Sequence, residues 1–152
     1  MNIGEHFEGL SGLQQLRSMM GAGMSPPICE TLKFRLVEVA EGRAVFLGQP
    51  GPHVYNPIGS VHGGYAATLL DSALGCAVHS SLSSNQIHTT LELKIAYHRG
   101  MTADTGEIRA EGIVLSLGRR VAFAEGKITD AQGRLLASAT STLLVMERPP
   151  TR

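Results

Sequence analysis

The stretch Asn56-Pro57-Ile58-Gly59-Ser60-Val61-His62-Gly63-Gly64-Tyr65-Ala66-Ala67-Thr68-Leu69-Leu70-Asp71 decides how the rest of the chain must be arranged. It opens as a loop of turn-formers, because Pro57 fixes its own φ and Gly59 adopts backbone angles closed to other residues. It then passes the glycine pair Gly63-Gly64 and becomes an apolar segment running from about Gly64 to Leu82. Ala, Leu, Val, Tyr and Cys lie nearly all round that segment, which predicts a helix covered on every side rather than one with a solvated face. One carboxylate, Asp71, interrupts it. Such a helix needs a surface to wrap it, and the remaining chain has to supply one.

The start of this helix carries chemistry of its own. Its first N–H groups have no carbonyl a turn earlier, and the positive end of the macrodipole lies at the same point, which suits an oxyanion forming on an ester or thioester carbonyl. Gly63 and Gly64 have no Cβ, so a ligand can approach the backbone, and the Gly63 N–H is the expected donor. Asp71 is costly to bury without a role or a partner. Desolvation raises a carboxylate's pKa toward the range useful to a general base, so Asp71 reads either as catalytic or as hydrogen-bonded to a neighbouring Ser or Thr. The glycine pair and Asn56 upstream favour the catalytic reading. At ~1.5 Å rise per residue, Gly63 and Asp71 stand about 12 Å apart along a straight helix. One scissile carbonyl cannot touch both, so a shared site would take Asn56, His62 and Gly63 from one subunit of a two-fold dimer and Asp71 from the other.

Around this centre the pattern is mostly β. Glu5 to about Met20 carries Phe7, Leu10, Leu13, Leu16 and Met20 at helical spacing, predicting a short amphipathic surface helix weakened at Ser11-Gly12, and Gly21 to Pro27 reads as a loop. Leu32, Phe34 and Leu36 alternate with charged residues, and Arg43 to Leu47 follows through Glu41-Gly42 as the second arm of a hairpin. From Thr89 to His98 the alternation is strict, with Leu91, Leu93, Ile95 and Tyr97 on one side and Glu92, Lys94 and His98 on the other. Gly106 to Leu115, Arg119 to Thr129 and Arg134 to Met146 are three further strand candidates joined by tight turns. Consecutive hairpins make an antiparallel sheet, and a sheet with one apolar face can wrap an apolar helix. The expected organisation is an N-terminal helix and linker over residues 1–30, one α+β domain over residues 31–146, and a frayed tail over residues 147–152.

Composition narrows the function. A chain of 152 residues is one domain by length, too short for a separate cofactor domain. Thirteen basic side chains balance thirteen acidic ones, so no global field draws in nucleic acid or an acidic membrane. Asp71, Gly75, His79 and several serines argue against a membrane span in the apolar run. Cys29 and Cys76 are too few for a disulfide framework, and with no secretory leader in the sequence the expected compartment is the cytoplasm. The six histidines include no pair at metal-ligand spacing, so no metal site is expected. The Gly21-Ala22-Gly23 turn has neither a preceding strand nor a third glycine, which removes a dinucleotide reading, and the absence of G-x-S-x-G removes a serine nucleophile elbow. Hydrolysis would have to run on a carboxylate.

Asn-Pro-Ile-Gly-Ser-Val-His-Gly-Gly followed by Ala-Thr-Leu-Leu-Asp resembles the signature of hotdog-fold acyl-CoA thioesterases of the phenylacetic-acid-degradation (PaaI-type) family. Leu91 to Tyr97, Leu117 to Arg120 and Gly133 to Ala137 follow in that family's order, so the resemblance covers about Thr31 to Met146. One departure is Gly100 after Arg99, where the family usually has Pro. The resemblance implies a hotdog fold, an antiparallel sheet wrapped around a long central helix, and hydrolysis of acyl-CoA to a free acid and coenzyme A without metal or nucleotide cofactor. It implies Asp71 as nucleophile or general base, Asn56 on the thioester carbonyl or the attacking water, and the Gly63 N–H as oxyanion donor. His62 orients the loop or serves the structure, and Gly64 lines the substrate. Thr90 aligns with a hydroxyl that helps place the water, and reads equally as an ordinary strand threonine. Arg119 and Arg120, at a hairpin tip, could hold coenzyme A phosphates, for which guanidinium geometry is suited, or act as solubilising charges. Homodimers with shared active sites, often paired into dimers of dimers, are implied as well.

Two other functions fit the same fold class. A dehydratase or hydratase would convert an acyl thioester without releasing thiol, and a non-catalytic acyl-CoA-binding module would bind without turnover, since fold alone does not establish activity.

Overall fold

The computed structural model describes residues 2–149. Four helices, α1 (Ile3–His6), α2 (Gly12–Gly21), α3 (Pro27–Leu32) and α4 (Gly63–His79), accompany six strands: β1 (Phe34–Ala40), β2 (Arg43–Gly48), β3 (Gln86–Tyr97), β4 (Ile108–Leu117), β5 (Val121–Asp130) and β6 (Leu135–Glu147). The strands form a single sheet in the order β1-β2-β4-β5-β6-β3, every neighbouring pair antiparallel. The sheet curls around α4, the α+β hotdog arrangement expected from the sequence. Leu69, Leu70, Ala73, Leu74 and Val78 of the helix are fully buried in one core with Ile108, Ala110, Ala122, Ile128 and Leu143 of the strands. Close approach depends on Gly112: a Cβ there would stand 2.5 Å from the Ala73 carbonyl, so only glycine lets β4 lie this near the helix backbone. Among the described residues no helix is long and apolar enough to cross a membrane.

Several local expectations change. The N-terminal segment forms two helices rather than one, because Gly9 turns with φ +79° and Ser11 starts α2 with a reciprocal capping box to Gln14. Nor does α2 lie loosely on the surface, since Gln15, Leu16 and Met19 are buried. The loop ends at Pro27, which occupies the first turn of α3, where its missing N–H costs nothing. The first strand accordingly begins at Phe34, after Lys33 in the left-handed region. Of the predicted tail, Glu147 still belongs to β6, and residues 150–152 lie outside the described residues.

Two corrections bear on the site. Helix α4 is not covered all round: Gly64, Ala67, Thr68, Asp71, Ser72 and Cys76 form a stripe at helical spacing that stays at least partly open. The sheet stops at β3, whose outer edge has no strand beside it. The strict alternation in β3 also fails, because the register slips between Thr90 and Glu92. Leu91 is squeezed out by this bulge and is 59% exposed. As a result His88 and Thr90 before the bulge and Leu93, Ile95 and Tyr97 after it all face α4, which uninterrupted alternation forbids.

Candidate active site

The loop leading into α4 is held by its own side chains. Asn56 Oδ1 accepts hydrogen bonds from the N–H groups of Ile58 (3.1 Å) and Ser60 (3.2 Å), and Asn56 Nδ2 donates to Ser60 Oγ (3.1 Å). Gly59 closes the turn at φ +83°, and the Asn56 N–H donates to the Ser60 carbonyl (2.8 Å). This is an Asx-type turn, the local competition with regular structure for which Asn is suited. Beyond it, the Val61 N–H donates to the Met101 carbonyl (2.9 Å) and the His62 N–H to that of Val54 (2.8 Å), tying the loop to the body.

His62 is the N-cap of α4, and its Nδ1 accepts the Gly64 N–H at 2.8 Å. That bond assigns the neutral tautomer with its proton on Nε2. On the other side of the same peptide, the Tyr97 hydroxyl donates to the Gly63 carbonyl at 2.8 Å. The Gly63-Gly64 peptide is therefore pinned at both ends, its N–H by an imidazole and its C=O by a phenol. The Gly63 N–H has no acceptor among the described residues and stands at the positive end of a seventeen-residue helix. Of the two glycines, Gly63 keeps the free donor, and the Gly64 amide is already engaged. A Cβ on Gly63 would meet the Tyr97 hydroxyl oxygen at 3.0 Å, so the glycine also makes room for its own clamp.

Two turns further on, Asp71 lies on the partly open stripe of α4. The Thr90 hydroxyl donates to its Oδ1 at 2.9 Å. Its Oδ2 has no partner among the described residues, so one oxygen is anchored and the other is available. Thr90 reaches the helix only because of the bulge beside it. One turn beyond Asp71, Gly75 accommodates the His88 ring, whose Cε1 would lie 3.3 Å from a Cβ at that position. Burial pushes the His88 imidazole below its ordinary value, with the Asp71 charge opposing. Desolvation pushes the neighbouring Cys76 thiol up to about 12, helped by Cys29 and Asp71, so no thiolate nucleophile stands beside Asp71. Among the described residues no three His, Cys, Asp or Glu side chains converge as metal ligands would.

Arg119 and Arg120 are exposed at the tip between β4 and β5, and neither makes an ion pair among the described residues. The Arg120 carbonyl accepts the Val145 N–H (2.8 Å), and Val145 is opposite His88. Two strand spacings, about 10 Å, therefore separate the hairpin from the His88 backbone. The arginines belong to the Asp71 end of the helix rather than the Gly63 end. Of the residues singled out in the sequence, the structure gathers His62, Gly63, Gly64 and Asn56 at one end of α4 and Asp71 and Thr90 at its middle. Tyr97 and His88 were not singled out. In the sequence Tyr97 reads as one apolar position of an alternating strand, and His88 lies just before the strand expected from Thr89. No signal in the sequence marks either, because the alternation of Leu91, Leu93, Ile95 and Tyr97 runs through Leu91 without a break.

A sequence model described as the thioesterase superfamily matches residues 58–137. The chain is 27% identical over 119 residues to a 1,4-dihydroxy-2-naphthoyl-CoA hydrolase of Listeria monocytogenes, spanning 78% of this chain and 95% of that protein. Among solved structures, a variant of the phenylacetic acid degradation protein PaaI from Thermus thermophilus is 27% identical with a TM-score of 0.71, covering 78% of this chain and 98% of that one. The E. coli PaaI protein from the phenylacetic acid degradation operon superposes with a TM-score of 0.79 at 20% identity, over 92% and 97% of the two chains, which speaks for the fold.

Proposed function

This chain belongs to the thioesterase superfamily, and from that premise we propose that it hydrolyses acyl-CoA esters at a site shared by two copies, each lending the end of α4 that the other lacks. The observation that carries the reading is the ~12 Å separation of the free Gly63 N–H from Asp71 on one uninterrupted helix. The partly open stripe holding Asp71 and the uncovered edge of β3 support it, since an unpaired edge strand twelve residues long is a template for a second copy.

The thioester oxygen sits on the Gly63 N–H of one copy, and the partner's Asp71 faces the carbonyl carbon. Its free Oδ2 takes a proton from water as the water oxygen bonds to that carbon. Negative charge then collects on the carbonyl oxygen, where the N–H and the helix dipole stabilise it. The C–S bond breaks, the thiolate leaves and recovers the proton from the carboxyl, and a free acid and coenzyme A depart. Thr90 keeps the carboxylate oriented throughout. The Asn56 amide, spent largely on the loop, keeps one N–H for the carbonyl or the water, and Arg119 and Arg120 meet the coenzyme's phosphates. The cellular coenzyme A pool makes the cytoplasm the compartment.

Subunit mixing tests the shared site. Asn56→Ala and Asp71→Asn chains, each inactive alone, are refolded together in equal amounts. Random two-fold pairing leaves roughly a quarter of all sites with both residues intact, and that share of the wild-type rate of thiol release should return. Mixed dimers with no recovered activity would place Asp71 within its own chain's site. A single turnover in labelled water reads the step itself: unlabelled first product with the label left on Asp71 means an anhydride opened at the aspartyl carbon, whereas label in the first product means that water bonds to the acyl carbon.

A further inference from the structure

At His88, two residues before Thr90 in β3, lies a chamber of about 860 Å³. His88 and His79 form its floor, with ring centroids 5.7 Å apart and the planes edge-on. Helix α1 and the turn at Asn85 form the walls, together with Arg148 just past β6. His79 is fixed, its Nε2 being 2.9 Å from Gln15 Oε1. The other polar groups are not satisfied: His88 Nδ1 and Arg148 Nε are buried and have no partner among the described residues. Arg148 lays its guanidinium across Gly4 of α1, which has no side chain to push it away. Two unsatisfied buried polar atoms lining one cavity are a costly arrangement unless something enters to meet them.

The chemistry of the lining says what that is. Arg148 is a permanent cation, and burial holds both imidazoles below their ordinary values, His79 down to about 4. Each is therefore neutral near pH 7; His79 spends its one N–H on Gln15 Oε1, and the unpartnered Nδ1 of His88 is left to carry a proton toward the chamber. The carboxylates bordering the chamber, Glu5 and Glu8, are exposed to water at its rim, where their charge is screened. A guanidinium beside an imidazole N–H suits a carboxylate. Distance identifies whose carboxylate. Gly75, against which His88 packs, lies one helical turn, about 6 Å, beyond Asp71, within reach of a short acyl chain whose thioester carbon stands at Asp71. The pantetheine arm puts the phosphates of coenzyme A much further from that carbon.

Resting on the hydrolase reading, we propose that this chamber receives a carboxylate at the far end of the acyl group, so that the preferred substrates are coenzyme A esters of dicarboxylic acids.

The experiment pairs each ω-carboxyacyl-CoA of a short-to-medium series with the uncharged acyl-CoA of equal length and measures thiol release by the full-length protein. At the best length the carboxylated ester should exceed its partner about tenfold in kcat/KM, the worth of one charge-assisted hydrogen bond. Arg148→Met should erase that preference through KM while leaving the uncharged esters unchanged. Arg148→Lys should keep part of it. Equal rates for the matched pairs in the wild-type protein would overturn the proposal and leave the hydrolase reading standing. No thiol release from any ester would overturn both. If Arg148→Met raised KM for all esters alike and weakened inhibition by free coenzyme A, the chamber would hold the coenzyme and the proposal would be wrong.

Discussion

Where α4 begins, the group left without a partner among the described residues is the Gly63 N–H; two turns later it is one oxygen of the Asp71 carboxylate, and the two are supported in opposite ways. The Gly63 end is held mainly by neighbours in sequence, Asn56, Ser60 and His62, with long-range contacts from Tyr97 and Met101. The Asp71 end is held across the fold, by Thr90 nineteen positions away, with the buried pair His79 and His88 behind it. A backbone donor needs only a turn that leaves it free, whereas a carboxylate needs a partner on another element and a controlled exposure. Because one rigid helix carries both, neither can move toward the other. That rigidity is why we propose a site shared between two copies.

The largest expected effect falls on the side-chain end. Asp71→Asn preserves shape and a hydrogen bond to Thr90 but removes the proton acceptor, and kcat should fall about a thousandfold or more, while the melting temperature moves by only a few degrees. Comparable losses in both would mean that Asp71 is a structural carboxylate and that the contrast between the two ends is false. Next comes the pH dependence of stability set by His79, a property of the same end. Its folded pKa is about 4 against about 6.5 when unfolded, so between those values the unfolded chain binds more protons. Stability is full above pH 6.5 and falls as the pH drops through that window, by roughly 2 kcal/mol between pH 6.5 and 5. Glu38, held down to about 2 by its hydrogen bonds to Arg109 and Arg43, loses its contribution only below the ordinary carboxylate range. Urea unfolding across that interval should show the slope, and His79→Gln should flatten it.

At the backbone end the effects are smaller. Tyr97→Phe frees the Gly63 carbonyl without touching the donor itself, and kcat should drop about tenfold with KM little changed, as when a positioning contact is lost. A rise in KM alone would make Tyr97 part of the binding surface instead. The smallest effect belongs to the exposed hairpin. Arg119→Ala combined with Arg120→Ala should raise KM for coenzyme A esters a few-fold at low salt, fading at high ionic strength. An unchanged KM at low ionic strength would detach these arginines from the site.

The two ends also differ in how readable they were. Glycines, an asparagine and a histidine ahead of an apolar run announce a helix start with a free N–H, because turn formation and capping depend on adjacent residues. Asp71 stood out as the carboxylate in an apolar helix. Its surroundings did not, and the strand that supplies them was read with the wrong periodicity. Strict alternation places Thr90 on the face opposite Leu93 and Ile95, yet all three face α4 since one extra residue is accommodated at Leu91. The two N-terminal helices were read as one for a similar reason: the spacing of Phe7, Leu10, Leu13 and Leu16 continues through a turn made by Gly9 and a cap made by Ser11.

By itself the sequence determined the antiparallel strands, the central helix, the free donor at its N-terminus and the carboxylate within it. These follow from hydrophobic period and local backbone preference, which are encoded within a few neighbouring residues. The tertiary structure decided that α4 keeps an open stripe, that Tyr97 clamps Gly63, and that Thr90, His88 and Arg148 gather beyond Asp71. Each of these depends on strand register and on where the sheet ends, and register is settled by the long-range pairing of β3 with β6 rather than by the residues of β3 alone.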